Sequence, residues 1–137
     1  MSRLVLDASI VLTWCFPDEE AQNALEIAER IAAGTKVSVP AFWRHKILNA
    51  LLVGERRKRL SPDLTQAFLN DLSRLPVNVD DRDAIIVIFN TQTLCRHYGL
   101  TAYDAAYLEL AVSWSCALAT VDQELKRAAI AQGVEVL

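Results

Sequence analysis

Short apolar runs alternate along the chain with longer stretches whose apolar positions recur every three to four residues, the pattern of strands interleaved with helices. Arg3 to Leu6 is short and apolar, a buried strand that delivers Asp7 at its end. Ser9 to Phe16 is predicted helical. Pro17-Asp18-Glu19-Glu20 breaks that helix and restarts another, with Asp18 as its cap, running to about Ala33 ahead of Gly34. Val37-Ser38-Val39 predicts a second strand, after which Pro40 opens a long helix through Leu48, Leu51 and Leu52. Ser61-Pro62 has cap-then-proline chemistry and starts a helix to about Leu75; Val77-Asn78-Val79 is a third strand. Ile85-Ile86-Val87-Ile88 has strand propensity, yet the surrounding segment from Asp83 to His97, closed by Gly99, has helical length, and a buried helix is expected. A helix from Thr101 or Ala102 to Trp114, a strand over Cys116 to Thr120, a short helix from Asp122 to about Ala131 and a last strand at Val134-Glu135-Val136 complete the pattern.

Strands of three to five residues separated by helices make βαβ units. The expected fold is therefore α/β, a three-layer α/β/α sandwich around a mainly parallel sheet of four to five strands. Its 137 residues suit one domain spanning 1–137. With 53% hydrophobic residues, 4 Gly and 4 Pro, neither disorder nor low complexity fits. Cys15, Cys95 and Cys116 are an odd number without metal-ligand spacing, so reduced, mostly buried thiols are expected, as in a cytoplasmic protein. Met1 to Leu6 passes directly into strand pattern and no run of about 18 apolar residues occurs, so export and membrane spanning are not expected.

The net charge of −3 excludes a general attraction for polyanions. Arg56-Arg57-Lys58-Arg59 is the local exception, where an apolar helical pattern stops. Four cations there complement the helix dipole, and they are equally suited to contact phosphates.

In parallel sheets ligands collect beyond the carboxyl ends of the strands. Asp7 follows the first strand, Asp122 follows Ala119-Thr120, and Asp104 stands at a helix start within Tyr103-Asp104-Ala105-Ala106-Tyr107. Each is explained singly as a helix or strand-end cap. Jointly, carboxylates at one edge repel unless a cation neutralises them, and oxygen-only donors favour Mg²⁺ or Mn²⁺ over zinc. Such an ion activates water for phosphodiester hydrolysis. No phosphate-binding glycine loop is present, and neither His45 nor His97 lies in a nucleophile setting.

Val5-Leu6-Asp7-Ala8-Ser9, Val39-Pro40-Ala41-Phe42-Trp43 leading to Asn49-Ala50-Leu51-Leu52, the run Leu100 to Ala111 around Tyr103-Asp104-Ala105-Ala106-Tyr107, and Leu118-Ala119-Thr120-Val121-Asp122 together resemble the PIN-domain ribonucleases, specifically toxins of the VapC type. The likeness covers essentially the whole chain. It implies Asp7, Asp104 and Asp122 as catalytic metal ligands, Ser9 and Thr120 as supporting hydroxyls, and Asn49 as a supporting group one shell out. It also implies Mg²⁺-dependent cleavage of single-stranded RNA, a homodimer, and neutralisation by a cognate antitoxin.

Lys46 departs from that pattern, because the family places a glutamate three residues before the Asn49 position. The exchange changes the acidic site from about −4 to about −2, and an ammonium could occupy the space of a metal. Impaired nuclease activity is expected, in a specialised or decayed homologue or through an inactivating substitution, unless the helix is rotated so that Lys46 points to solvent. Glu55 falls on the opposite helix face and cannot stand in; Asp81 and Asp83 are further candidates. The alternative function is a weakly catalytic binding module acting through an antitoxin or RNA. Arg56, Arg57, Lys58 and Arg59 are expected to steer RNA. Trp14, Trp43 and Tyr103 could stack bases or pack in the core, and Phe42, Trp43, Leu51, Leu52 and Phe68 could line a partner groove or the core.

Overall fold

The computed structural model describes residues 2–16 and 22–137; the expected restart at Pro17 to Glu20, with Asp18 as its cap, lies outside them. The chain runs β1 (Arg3–Leu6), α1 (Ala8–Cys15), α2 (Ala24–Ala32), β2 (Lys36–Val39), α3 (Trp43–Arg56), α4 (Pro62–Ser73), β3 (Val77–Val79), α5 (Ala84–Tyr98), α6 (Ala102–Trp114), β4 (Ala117–Ala119) and α7 (Gln123–Ala131). All four strands are parallel, in the order β3-β2-β1-β4. Helices α1 to α4 pack on one another as one group, and α6 lies across β1, β2 and β4 with α5 and α7 beside it. This is the expected α/β architecture. Among the described residues no helix is long and apolar enough to cross a membrane.

Local chemistry sets the boundaries. Ser61, Thr101 and Asp122 each accept the backbone N–H three residues on, and Asp83 accepts that of Ile85. Gly99 closes α5 at φ 68°, a left-handed conformation that glycine adopts freely. Gly54 is required for contact: a Cβ there would stand 2.8 Å from the Phe16 ring, where the end of α3 meets the end of α1.

Three expectations need correction. The last strand reduces to one bridge between Leu118 and Val136, because the Val134 N–H closes the end of α7 on Ala129 O and leaves only the final residues to reach β4. The sheet therefore has four strands. α5 forms over nearly the expected residues but is not buried: Ile85, Ile86, Ile88 and Phe89 are 55–59% exposed. Only its Val87, Thr91, Leu94 and Tyr98 side turns inward, since α6 already covers that face of the sheet. The three thiols are unbridged, as expected, but half-buried; burial pushes the Cys116 thiol up while Arg3 draws it down. Of the residues considered for a partner groove, Trp43 and Leu51 are core, Phe42 and Phe68 pack against it, and Leu52 is 38% exposed.

A charged clamp fixes the link between β3 and α6. The Arg82 guanidinium donates to both oxygens of Asp80 at 2.9 Å, and to Glu109 at 2.6 and 3.0 Å and Ser113 at 2.8 Å. Glu109 is only 3% exposed, so this partner is what makes its burial tolerable. The Arg82 hydrogen bonds hold the Asp80 carboxyl below its usual range. A depressed carboxyl contributes stability above the unfolded value of about 3.9 and loses it as pH falls through the lower folded value. Arg82→Met is expected to cost about 3 kcal/mol in urea unfolding at neutral pH. Asp80→Asn should lessen the fall in stability on the acid side, which melting curves between neutral and strongly acid pH will check.

Candidate active site

The parallel register of β1 and β4 pairs Leu6 with Ala119, so the next residues, Asp7 and Thr120, emerge side by side at the carboxyl edge. The Asp7 N–H continues the ladder to Ala119 O at 2.9 Å. Asp7 is 3% exposed and its carboxylate is fully engaged. Its Oδ2 accepts the Thr120 hydroxyl at 2.6 Å and the Ser9 hydroxyl at 2.9 Å. Each hydroxyl in turn accepts a backbone N–H, Thr120 from Asp122 at 3.0 Å and Ser9 from Val121 at 3.2 Å. Two strands and two helix starts are thus tied through one carboxylate.

Asp104 comes from the first turn of α6 and faces the same space. Burial pushes its carboxyl above the usual range, the Lys46 ammonium draws it down, and the charges of Asp122 and Asp7 push it further up. That mutual repulsion is the signature of one shared anionic pocket. Asp122 contributes a carboxylate that also caps α7, accepting from Leu125 N–H at 2.9 Å. Asn49 is exposed, one turn beyond Lys46 on α3.

Lys46 turns into this pocket rather than away from it. Its Nζ lies 3.9 Å from Asp104 Oδ1, 5.5 Å from the centre of the Tyr107 ring and 6.0 Å from that of Phe42. The rotated-helix explanation is thereby set aside. Neither acid considered as a replacement approaches: Asp81 and Asp83 are exposed, with Asp83 capping α5. Glu55 is turned to Thr65, whose hydroxyl it accepts at 2.8 Å.

Carboxylate and hydroxyl oxygens are the donors of a hard divalent ion. Among the described residues, no three His, Cys, Asp or Glu side chains converge closely enough to hold a metal as they stand. The donor chemistry and the mutual repulsion fit such an ion, while the nearest cation to Asp104 is the Lys46 ammonium.

The basic cluster is not part of this pocket. Arg56 ends α3 ten residues from Lys46, about 15 Å along the helix axis, and Arg57, Lys58 and Arg59 follow, all exposed. Arg59 lies over the Phe16 ring at 4.4 Å, and Lys58 has φ 59°. Of the aromatic candidates, Trp43 is 1% exposed, Trp14 is half-buried with its indole N–H on Ala24 O, and Tyr103 is 62% exposed.

Sequence reasoning gave Tyr107 no role. It is fully buried, and its hydroxyl accepts the Ala8 N–H at 3.4 Å, one residue beyond Asp7. Burial, and then the Asp7 charge, push its phenol far above the usual range. The available signal was spacing: Tyr107 is three residues beyond Asp104 on one helix face.

The PIN domain family model matches residues 4–131, and the chain belongs to that family. Ribonuclease VapC3 from Pyrobaculum aerophilum is 26% identical over 123 residues, covering 90% of this chain and 92% of that protein. The crystal structure of PAE2754 from the same organism superposes with a TM-score of 0.74 at 20% identity, over 98% of this chain and 89% of that one. Mycobacterium tuberculosis VapC20, described as a sarcin-ricin loop cleaving toxin, superposes with a TM-score of 0.60 at 15% identity, over 91% and 94%.

Removing the Thr120 hydroxyl leaves the buried Asp7 oxygen short of a donor. Thr120→Val is expected to destabilise the fold by about 1–3 kcal/mol, measured by urea unfolding. Asp7→Asn in the same background should make the Thr120 change cheaper.

Proposed function

We propose that this chain, acting as a single domain, is a divalent-metal-dependent endoribonuclease of the toxin–antitoxin kind, cleaving single-stranded RNA, with activity held low by Lys46. The observation that carries the proposal is the placement of Asp7 and Thr120 side by side at the sheet's carboxyl edge, bonded at 2.6 Å, with Asp122 two residues on and Asp104 facing the same space beside Lys46 at 3.9 Å. Asp7, Asp104 and Asp122 would hold the ion, Mg²⁺ or Mn²⁺. When bound, it supplies charge neutralisation for the phosphodiester and a water of lowered pKa. Ser9 and Thr120 fix the Asp7 carboxylate, so that closing on the ion would fall to the other acids. Asp122 is anchored by its cap on α7. Lys46 offsets one carboxylate charge and competes for Asp104. Arg56 to Arg59, at the far end of α3, would draw the RNA backbone by charge alone.

The expected test is direct. Lys46→Glu should bind Mn²⁺ at least tenfold more tightly than the parent in calorimetric titration and cleave single-stranded RNA faster; chelator should abolish cleavage in both. A Lys46→Glu variant that neither binds Mn²⁺ more tightly nor cleaves RNA would remove this account.

The partners in this reading are RNA, a cognate antitoxin and a second copy of the chain, in the cytoplasm. α5 supports the second copy. Ile85, Ile86 and Phe89 are more than half exposed on one helical face. Asp83 stands at the start of α5 and Arg96 and His97 in its last turn, so an antiparallel pairing of two such helices sets acid against base at both ends. Phe89→Glu is expected to halve the mass seen by light scattering without lowering the melting temperature.

A further inference from the structure

Between α5 and α6, beyond the end of β2, lies a groove of about 280 Å³ with predominantly apolar walls. Phe42, Val87, Ile88, Ala102, Tyr103 and Ala106 form most of them. Its size falls just below the roughly 300 Å³ at which sites for larger organic ligands begin, which suits one flat ring system. We propose that this groove takes a nucleobase of the RNA strand, stacked on Tyr103, beside the phosphate engaged at the aspartates. The inference rests on the nuclease reading above and assigns a part of the substrate to a part of the chain.

Three observations carry it. The first is the state of Tyr103: the residue is 62% exposed, yet its ring is in perpendicular contact with Phe42, with centroids 5.3 Å apart and planes at 87°. An aromatic face presented to solvent and braced from the side is a ready stacking platform.

The second is continuity with the acidic pocket. Tyr103 precedes Asp104, and the Phe42 ring is in perpendicular contact with both Tyr103 and Tyr107, at 5.3 and 5.7 Å between centroids. Lys46 Nζ, 3.9 Å from Asp104, is 6.0 Å from the same Phe42 ring. Phe42 thus lines the groove and lies near the ammonium paired with Asp104, which sets a base in the groove beside a phosphate at the acids.

The third is the chemistry of the groove's polar end. Asp80 and Arg82 line it, but they are bonded to each other and Arg82 also to Glu109. Those groups are spent, which leaves stacking rather than edge-reading hydrogen bonds, and so a tolerant choice of base. The outward face of α5 that carries Ile85, Ile86 and Phe89 is turned away from the groove, whose α5 wall is Ala84, Val87, Ile88 and Thr91.

The test uses the whole chain and a randomised single-stranded RNA carrying 4-thiouridine, with and without Mg²⁺. Photocross-links are expected on peptides bearing Phe42 or Tyr103. Tyr103→Leu, at an exposed position, should weaken RNA binding about tenfold and lose those cross-links, while Tyr103→Phe keeps both. Ala106→Met, which fills the groove, should act like Tyr103→Leu. No RNA binding by the parent, cross-links confined to other peptides, or parental binding by Tyr103→Leu would each overturn the assignment. So would a Tyr103→Leu chain that keeps its RNA contacts and loses self-association, which would make the groove a seat for a protein side chain. Cross-links in the groove without cleavage by Lys46→Glu would overturn the nuclease reading and leave the groove standing; cleavage without them would do the reverse.

Discussion

Burying a carboxylate at the end of an apolar strand is tolerable only when every lone pair that faces the interior finds a donor. Asp7 meets that condition through the hydroxyls of Thr120 and Ser9, and each of those is oriented by a backbone N–H from the segment after β4. The arrangement binds residues more than one hundred positions apart in sequence into one rigid corner. Because β1 and β4 are neighbours in register, the corner is a consequence of sheet topology and needs no loop to build it. Everything the acidic edge can do chemically depends on this corner holding its shape.

Repulsion is the other half of the design. Asp104 is brought to the corner by α6, the most buried helix, and pays for its place with a raised carboxyl. In a protein with a fourth acid at the Lys46 position the repulsion would grow until a dication answered it. Here an ammonium on a flexible stem, 40% exposed, answers part of it. An ion pair at 3.9 Å with that exposure is worth little to folding, since water screens it and the stem loses freedom. Its weight falls on the chemistry of the pocket, because two charge units separate a lysine from a glutamate.

The alternation of strands and helices was legible because each element carries its own signal: apolar triplets for strands, and capping residues such as Ser61 and Asp122 that the structure shows accepting N–H groups of the helices they open. What was misread depended on neighbours. Nothing within Ile85 to Phe89 says that α6 has already taken the sheet face, so an apolar helix was expected inside and lies outside. Val134 to Val136 has strand composition, yet the Val134 N–H is taken by Ala129 O at the end of α7, which leaves only the last residues to pair with Leu118. Around the acidic edge, Asp7, Asp104 and Asp122 could be named from position along the chain, whereas the direction of Lys46 and the depth of Tyr107 required coordinates.

Two cationic features therefore play unlike parts. The Arg56 to Arg59 run sits at the end of α3 remote from the acids, solvated, where its field reaches a polyanion from a distance but fixes no geometry. Lys46, on the same helix, stands between an aromatic wall and a carboxylate, where a charge acts over a few ångströms and a ring face stabilises it. In the proposed nuclease, an RNA strand along α3 would feel the attraction of the run before it met Lys46. A phosphate arriving at the acids then has a use for the Lys46 ammonium that Asp104 alone does not offer, since pairing with the phosphate would free Asp104 from its only nearby cation among the described residues. In the proposed nuclease the lysine that would hinder a metal is, by the same charge, the group best placed to release the carboxylate when a phosphate arrives.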